Sequence, residues 1–209
     1  MTEAEWLACT DPQKMLAFLQ ATGKVTDRKV WLFACACTRL LLQLQDSEPD
    51  RRCVETAERV ADGLATAEDL RRADRGLRWD IRWYRTWWPW NSAGRAVSCW
   101  HDAVYVNPHR SPAELLPLLG DLFGNPFRRP VPLDSACLAW NNGTVVRLAR
   151  AAYDHRGLPA GTLDPARLAV LADALDDAGC DNADLPGHLR GPGPHVRGCW
   201  AVDVLLGKS

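Results

Sequence analysis

Four residues near the end of the chain carry side chains suited to holding a metal: Cys180, His188, His195 and Cys199. Their spacing is C-x7-H-x6-H-x3-C, inside the stretch GCDNADLPGHLRGPGPHVRGCW from Gly179 to Trp200. Thiolate and imidazole are donors that zinc prefers, and four of them close a tetrahedral structural site. A last helix starting near Pro194 would set His195 and Cys199 one turn apart on one face, as i and i+4. The Gly/Pro-rich link would then fold back to bring Cys180 and His188 to them, and closing such short loops costs little entropy. The residue types therefore allow a Cys2His2 zinc site.

The same stretch also reads as helix punctuation, and that reading is preferred, because the spacing matches none of the common zinc patterns. Gly179 is a helix stop. Asp181 or Asn182 caps a short helix to Leu189, and Pro192 opens the next. Cys180 is then a small buried thiol, and Cys199 and Trp200 begin a core face. Cys35 and Cys37 cannot share an ion, since i and i+2 on a helix face about 200° apart; both are assigned to the core.

Other chemistry leaves little trace. No G-x-S-x-G, P-loop, G-x-G-x-x-G or H-E-x-x-H occurs. The prolines of Gly191 to Pro194 remove the backbone donors that a phosphate cradle needs. The adjacent pairs His101-Asp102 and Asp154-His155 point about 100° apart on a helix and form no dyad by themselves.

The elements that position these residues read as helices. Thr2 to Glu5 forms a capping box, and Asp11-Pro12 is an N-cap followed by Pro at the first helical position. Thr26-Asp27 opens a helix that is apolar nearly all round from Val30 to Leu42, the mark of a buried central helix. Ser47-Glu-Pro starts another, ended by Gly63, and Thr66 to Asp69 starts one that reaches into the Trp cluster. Ser111 to Glu114 caps a helix with Leu115, Leu118, Leu119 and Leu122 on one face; Pro117 should loosen it. Three prolines in GNPFRRPVPLD exclude regular helix there. Further stripes are Val145, Leu148, Ala149 and Ala152, then Leu168, Leu171, Ala172 and Leu175 behind an Asp164-Pro165 cap. HVRGCWAVDVLL is assigned to the last helix. No segment alternates with period two, so no sheet is expected.

Six of the ten tryptophans fall between Trp79 and Trp100. In LRWDIRWYRTWW, Trp79, Trp83 and Trp87 share one helix face, and Arg78, Arg82 and Arg85 form a stripe beside it. A core helix with Arg stems lying over ring edges is the first reading. The second is a protein-binding face, since Trp and Arg dominate interface hot spots. The third, an interfacial membrane helix or anion groove, is weakened by Asp80 in the apolar arc.

The chain has 209 residues, 47% hydrophobic and 24% charged, with a net charge of −1. That balance gives no field toward nucleic acid or an anionic membrane. The longest apolar stretch, Val30 to Leu42, contains Arg39 and is too short to span a bilayer. The acidic start lacks a signal peptide's basic region, so a cytoplasmic location is expected, with the eight cysteines as thiols or metal ligands.

The stretches LLGDLFGNPFRRPV, LAWNNGTVVRLARAAYD and LADALDDAGCDNADLPGHLRGPGPHVRGCWAVDVLLGK, with MTEAEWLACTDPQKMLAFL and DRKVWLFACAC, resemble an uncharacterised family found in many copies in planctomycete bacteria. The likeness covers most of the chain but not its middle, where relatives have an alanine-rich helical segment in place of the Trp/Arg helix. It implies a bacterial, cytosolic setting and no mechanism.

These readings converge on an all-α protein, an irregular bundle of about eight to ten helices with stacked hairpins as a variant. Residues 1–209 form a single helical unit with lobes 1–110 and 111–209. The expected function is a non-enzymatic protein-interaction or scaffold module, with no nucleic acid or membrane partner. The alternatives are a small zinc-stabilised domain and, last, an enzyme with an unfamiliar site.

Overall fold

Local cap chemistry starts the helices where the residues require. In the computed structural model of the chain, residues 1–42, 48–74, 115–128 and 133–208 are described. Thr2 and Glu5 exchange side-chain and backbone hydrogen bonds to open α1 (Glu3–Leu7). Asp11 accepts from the Gln13 and Lys14 N–H groups ahead of α2 (Pro12–Ala21). The helices α3 (Asp27–Leu42), α4 (Glu48–Ala61), α5 (Ala67–Asp74) and α6 (Leu116–Phe123) follow. Pro117 lies in the first turn of α6, where its missing N–H removes no intrahelical bond, so it does not bend the helix.

Beyond it come α7 (Ser135–Asp154), α8 (Pro165–Asp177), α9 (Asp184–Leu189) and α10 (Trp200–Leu206). The fold is all-α, with ten helices among the described residues. One correction concerns sheet: β1 (Arg156–Gly157) and β2 (Thr162–Leu163) form a small antiparallel ribbon. Helix α7 breaks at Asn141, Asn142 and Gly143, with φ of 47°, 58° and 74°. Asn and Gly tolerate that left-handed region best. No helix among the described residues is long and apolar enough to cross a membrane.

Three apolar clusters form. One joins α1, α2, α3 and α6 through Trp6, Leu16, Phe33, Leu119 and Leu122. Helix α6, assigned by sequence to the second lobe, therefore packs with the N-terminal helices. A second joins α3, α4 and α5 around Cys35, Val54 and Leu70. The third joins α7, α8, α9 and α10 around Val145, Leu171, Leu185 and Val202. Cys35 and Cys37 are both buried, in different clusters, as their opposite facing on α3 requires.

Buried charge ties the clusters together. Arg28 on α3 donates to Asp62 at 2.9 Å and to Asp203 at 2.6 Å. Asp62 also accepts from Tyr153 at 2.9 Å and from Arg197 at 2.8 Å. Deeper in, Arg39 grips Glu58 with two bonds, 2.7 and 3.0 Å, while Arg156 of β1 donates to Glu58 at 2.6 Å. Burial would raise the Glu58 carboxyl, but Arg39 and Arg156 outweigh it and hold the group below its usual range.

Three substitutions test this packing. A Cβ on Gly198 would lie 2.7 Å from Leu32 and 2.8 Å from Leu122, at a φ of +90°. Gly198→Ala should cost roughly 2–4 kcal/mol by denaturant titration, from overpacking plus the left-handed backbone. At Gly179, also left-handed but with nothing near a Cβ, alanine should cost only about 1–2 kcal/mol. Glu58→Gln should cost about 3–5 kcal/mol at neutral pH, because Arg39 loses its buried partner. A depressed carboxyl lends stability above its unfolded pKa and loses it on acidification. The variant should therefore show a shallower loss of stability than the wild type below about pH 4.

Candidate metal centre

The sequence names four ligands, and the structure brings three of them together. His188 on α9, His195 in the loop before α10 and Cys199 at the N-cap of α10 meet Asp121 on α6. One ligand atom from each lies within 4.8 Å of all the others. Cys180 is elsewhere: its thiol points to the Asn182 carbonyl at 3.9 Å and neighbours Cys137. Gly179 turns the chain at the end of α8, and the thiol settles against the third apolar cluster. The Trp79, Trp83, Trp87, Arg78, Arg82 and Arg85 face lies outside the described residues.

A second correction concerns the link between His195 and Cys199. No helix joins them, because α10 begins at Trp200. The segment instead pairs with β2: Leu163 N–H donates to the His195 carbonyl at 2.8 Å, and Thr162 bridges Val196. A turn closed by Cys199 N–H donating to Val196 O then swings the thiol back toward the imidazoles. The two ligands approach each other by a strand-then-turn path rather than along a helix face.

Asp121 is the residue that spacing arguments missed. It sits in LLGDLF, on the same stripe as Leu118 and Leu122, and is buried. A carboxylate on the inward face of an apolar helix is itself the signal, since a buried charge requires partners. Its Oδ1 lies 2.7 Å from His195 Nδ1 and 3.0 Å from His188 Nε2, and its Oδ2 accepts the Val196 N–H at 2.8 Å. Burial alone would raise this carboxyl, yet the donors from His188, His195 and Val196 hold it below its ordinary range.

Comparison with protein-family models, curated proteins and solved structures finds no match.

The geometry therefore has to speak for itself, and it separates two chemistries. A thiol–imidazole–carboxylate relay needs the thiol and the acid on different ring nitrogens. Here His188 Nε2 faces both Cys199 Sγ, at 3.3 Å, and Asp121 Oδ1. The atoms converge on a point instead of running in a chain. Burial, with Asp121 nearby, pushes the Cys199 thiol well above its usual range, which disfavours a nucleophile.

Convergence suits a cation. Zinc bonds of about 2.0–2.3 Å place neighbouring ligand atoms roughly 3.3–3.7 Å apart; here three pairs lie 2.7, 3.0 and 3.3 Å apart and all four atoms lie within 4.8 Å, so a small outward shift would seat the ion. The surrounding bonds also fit. His195 directs Nδ1 into the cluster while Nε2 faces the Gly191 carbonyl at 3.3 Å. Metal-binding histidines orient their second nitrogen in this way. Asp121 likewise anchors Oδ2 on the backbone and leaves Oδ1 for the centre. Asp121, His195 and Cys199 are buried; His188 is partly exposed and borders a cleft of about 680 Å³ walled by Trp6, Phe123 and Trp200.

In metal-free protein, Asp121→Ala should cost about 3 kcal/mol, because it strips the Val196 N–H and both imidazoles of their acceptor. Cys180→Ala should cost less than about 2 kcal/mol, since it removes one half-buried sulfur. Chemical denaturation with a chelator present measures both.

Proposed function

We propose that this protein is a zinc-stabilised helical scaffold, in which Asp121 Oδ1, His188 Nε2, His195 Nδ1 and Cys199 Sγ hold one zinc ion. The observation that carries the reading is the convergence of four ligand atoms of types zinc favours, three of their residues buried. Charge supports it: one carboxylate and one thiolate balance a divalent ion, leaving a neutral centre suited to burial. The ligand set is soft enough to favour zinc over magnesium or calcium, which take oxygen donors.

Four protein ligands fill a tetrahedral shell and leave no open position for substrate, which favours a structural role over a catalytic one. The ion would fasten α6, part of the N-terminal core, to α9 and to the loop before α10. A scaffold role follows from that rigidity, with its partner still to be found.

Elemental analysis of purified protein tests the proposal. About one zinc per chain is expected. Cys199→Ser and His188→Ala should each lose it, whereas Cys180→Ser should retain it. Zinc at a hundred times its Kd should add about 2.7 kcal/mol to the stability of chelator-stripped protein. Protein that neither carries zinc nor gains stability from it would sink the idea. Loss of zinc from Cys180→Ser with retention in Cys199→Ser would sink this ligand set.

A further inference from the structure

Cys180, released from the metal cluster, sits in a second arrangement that can do chemistry. It follows Gly179 at the end of α8 and is half-buried; Cys137, in the first turn of α7, is buried. Cys180 lies close enough to Cys137 to help raise that thiol above its ordinary range, and Cys180 Sγ points at the Asn182 carbonyl at 3.9 Å. Both line a cavity of about 280 Å³, whose wall includes Asp134, Asp181 and Asn182. Cys35 and Cys53 are neighbours too, but they lie inside the α3–α5 core. The Cys137–Cys180 pair thus combines proximity with a shared cavity.

We propose that Cys137 and Cys180 form an oxidisable pair that a small, neutral hydroperoxide converts to an intramolecular disulfide. Cys180, the more exposed sulfur, reacts first. Its sulfur attacks the peroxide O–O bond and takes one oxygen, becoming a sulfenic acid and releasing the alcohol, or water from hydrogen peroxide. The Cys137 sulfur then attacks the Cys180 sulfur, and the hydroxyl leaves with the Cys137 proton as water. Two thiols lose two electrons in total, and the peroxide gains them.

The cavity's acidic wall sets the oxidant class. Asp134 and Asp181 repel anions, so a neutral peroxide enters more readily than the anionic glutathione disulfide. Cys137 suits the second step. It lines the same cavity as Cys180 but is the more buried of the two, so the oxidant reaches Cys180 first. The product would pin the start of α7 to the loop that leads into α9.

The test uses the full chain with its native metal content, treated with hydrogen peroxide and mapped by mass spectrometry without reduction. A linked peptide pair containing Cys137 and Cys180 is expected, lighter by two hydrogens and restored by dithiothreitol. Cys180→Ser and Cys137→Ser should each lack it. Cys180→Ser, at a half-buried position, keeps the test decisive if Cys137→Ser does not fold. Glutathione disulfide at equal concentration should form the bond at least about tenfold more slowly. Sulfinic acid at Cys180 beside an alkylatable Cys137, linkage to another cysteine, or equal rates with the two oxidants would overturn the proposal.

Discussion

A buried carboxylate at Asp121 has to be met from the far end of the chain. Among the described residues its hydrogen-bond partners, His188, His195 and Val196, come from the last quarter of the sequence. An unpaired charge in that position is too costly to tolerate, so residues 188–196 must close over α6. Once they do, the next residues have little freedom. Val196 enters the N-terminal core, Gly198 threads between Leu32 and Leu122, and Arg197 reaches Asp62. Lys29 accordingly meets the Gly198 carbonyl and Asp203. One acid thus places a loop that touches both ends of the molecule.

The ion pairs on α3 have a different character. Arg28 and Arg39 leave α3 near its two ends and reach different parts of the C-terminal half. Arg28 engages Tyr153 and Asp203, while Arg39 engages the Pro159 carbonyl beside the ribbon. Such buried pairs add little net stability over well-packed apolar groups, but breaking one is costly. Their directional bonds therefore serve better to fix how the C-terminal helices sit on α3 than to strengthen the contact. Apolar packing between the clusters alone would permit sliding; the bidentate Arg28–Asp203 grip and the Arg156–Glu58 pair would not.

Helix starts were legible because capping is local. Thr2, Asp11 and Asp164 each bond to an N–H two or three residues on, so a few letters suffice. The buried stripes of α3, α6 and α8 were legible for the same reason, through periodicity. Three features were not. The HVRGC segment has the residue types of a helix, but pairing with β2 holds it extended, and that partner lies far away in sequence. Cys180 had a ligand's chemistry, yet nearness along a chain does not fix distance across it. Asp121 was visible only as an acid on an apolar face, a clue that a search restricted to Cys and His passes over.

Hydrogen bonding gives the centre two self-consistent charge states. Without a metal, both nitrogens of His195 face acceptors, Asp121 Oδ1 and the Gly191 carbonyl. Only an imidazolium can donate to both. Burial opposes that cation, but the Asp121 bond and charge prevail and raise the His195 pKa. A proton then serves as the counter-charge to the buried carboxylate. A zinc ion in the cluster would take over that role while His195 keeps its Nε2 proton for Gly191. It would also draw the proton from Cys199, whose thiol burial otherwise keeps neutral. The same four side chains therefore stay electrically balanced in either state. Charge alone would therefore not oppose exchange of that proton for a metal.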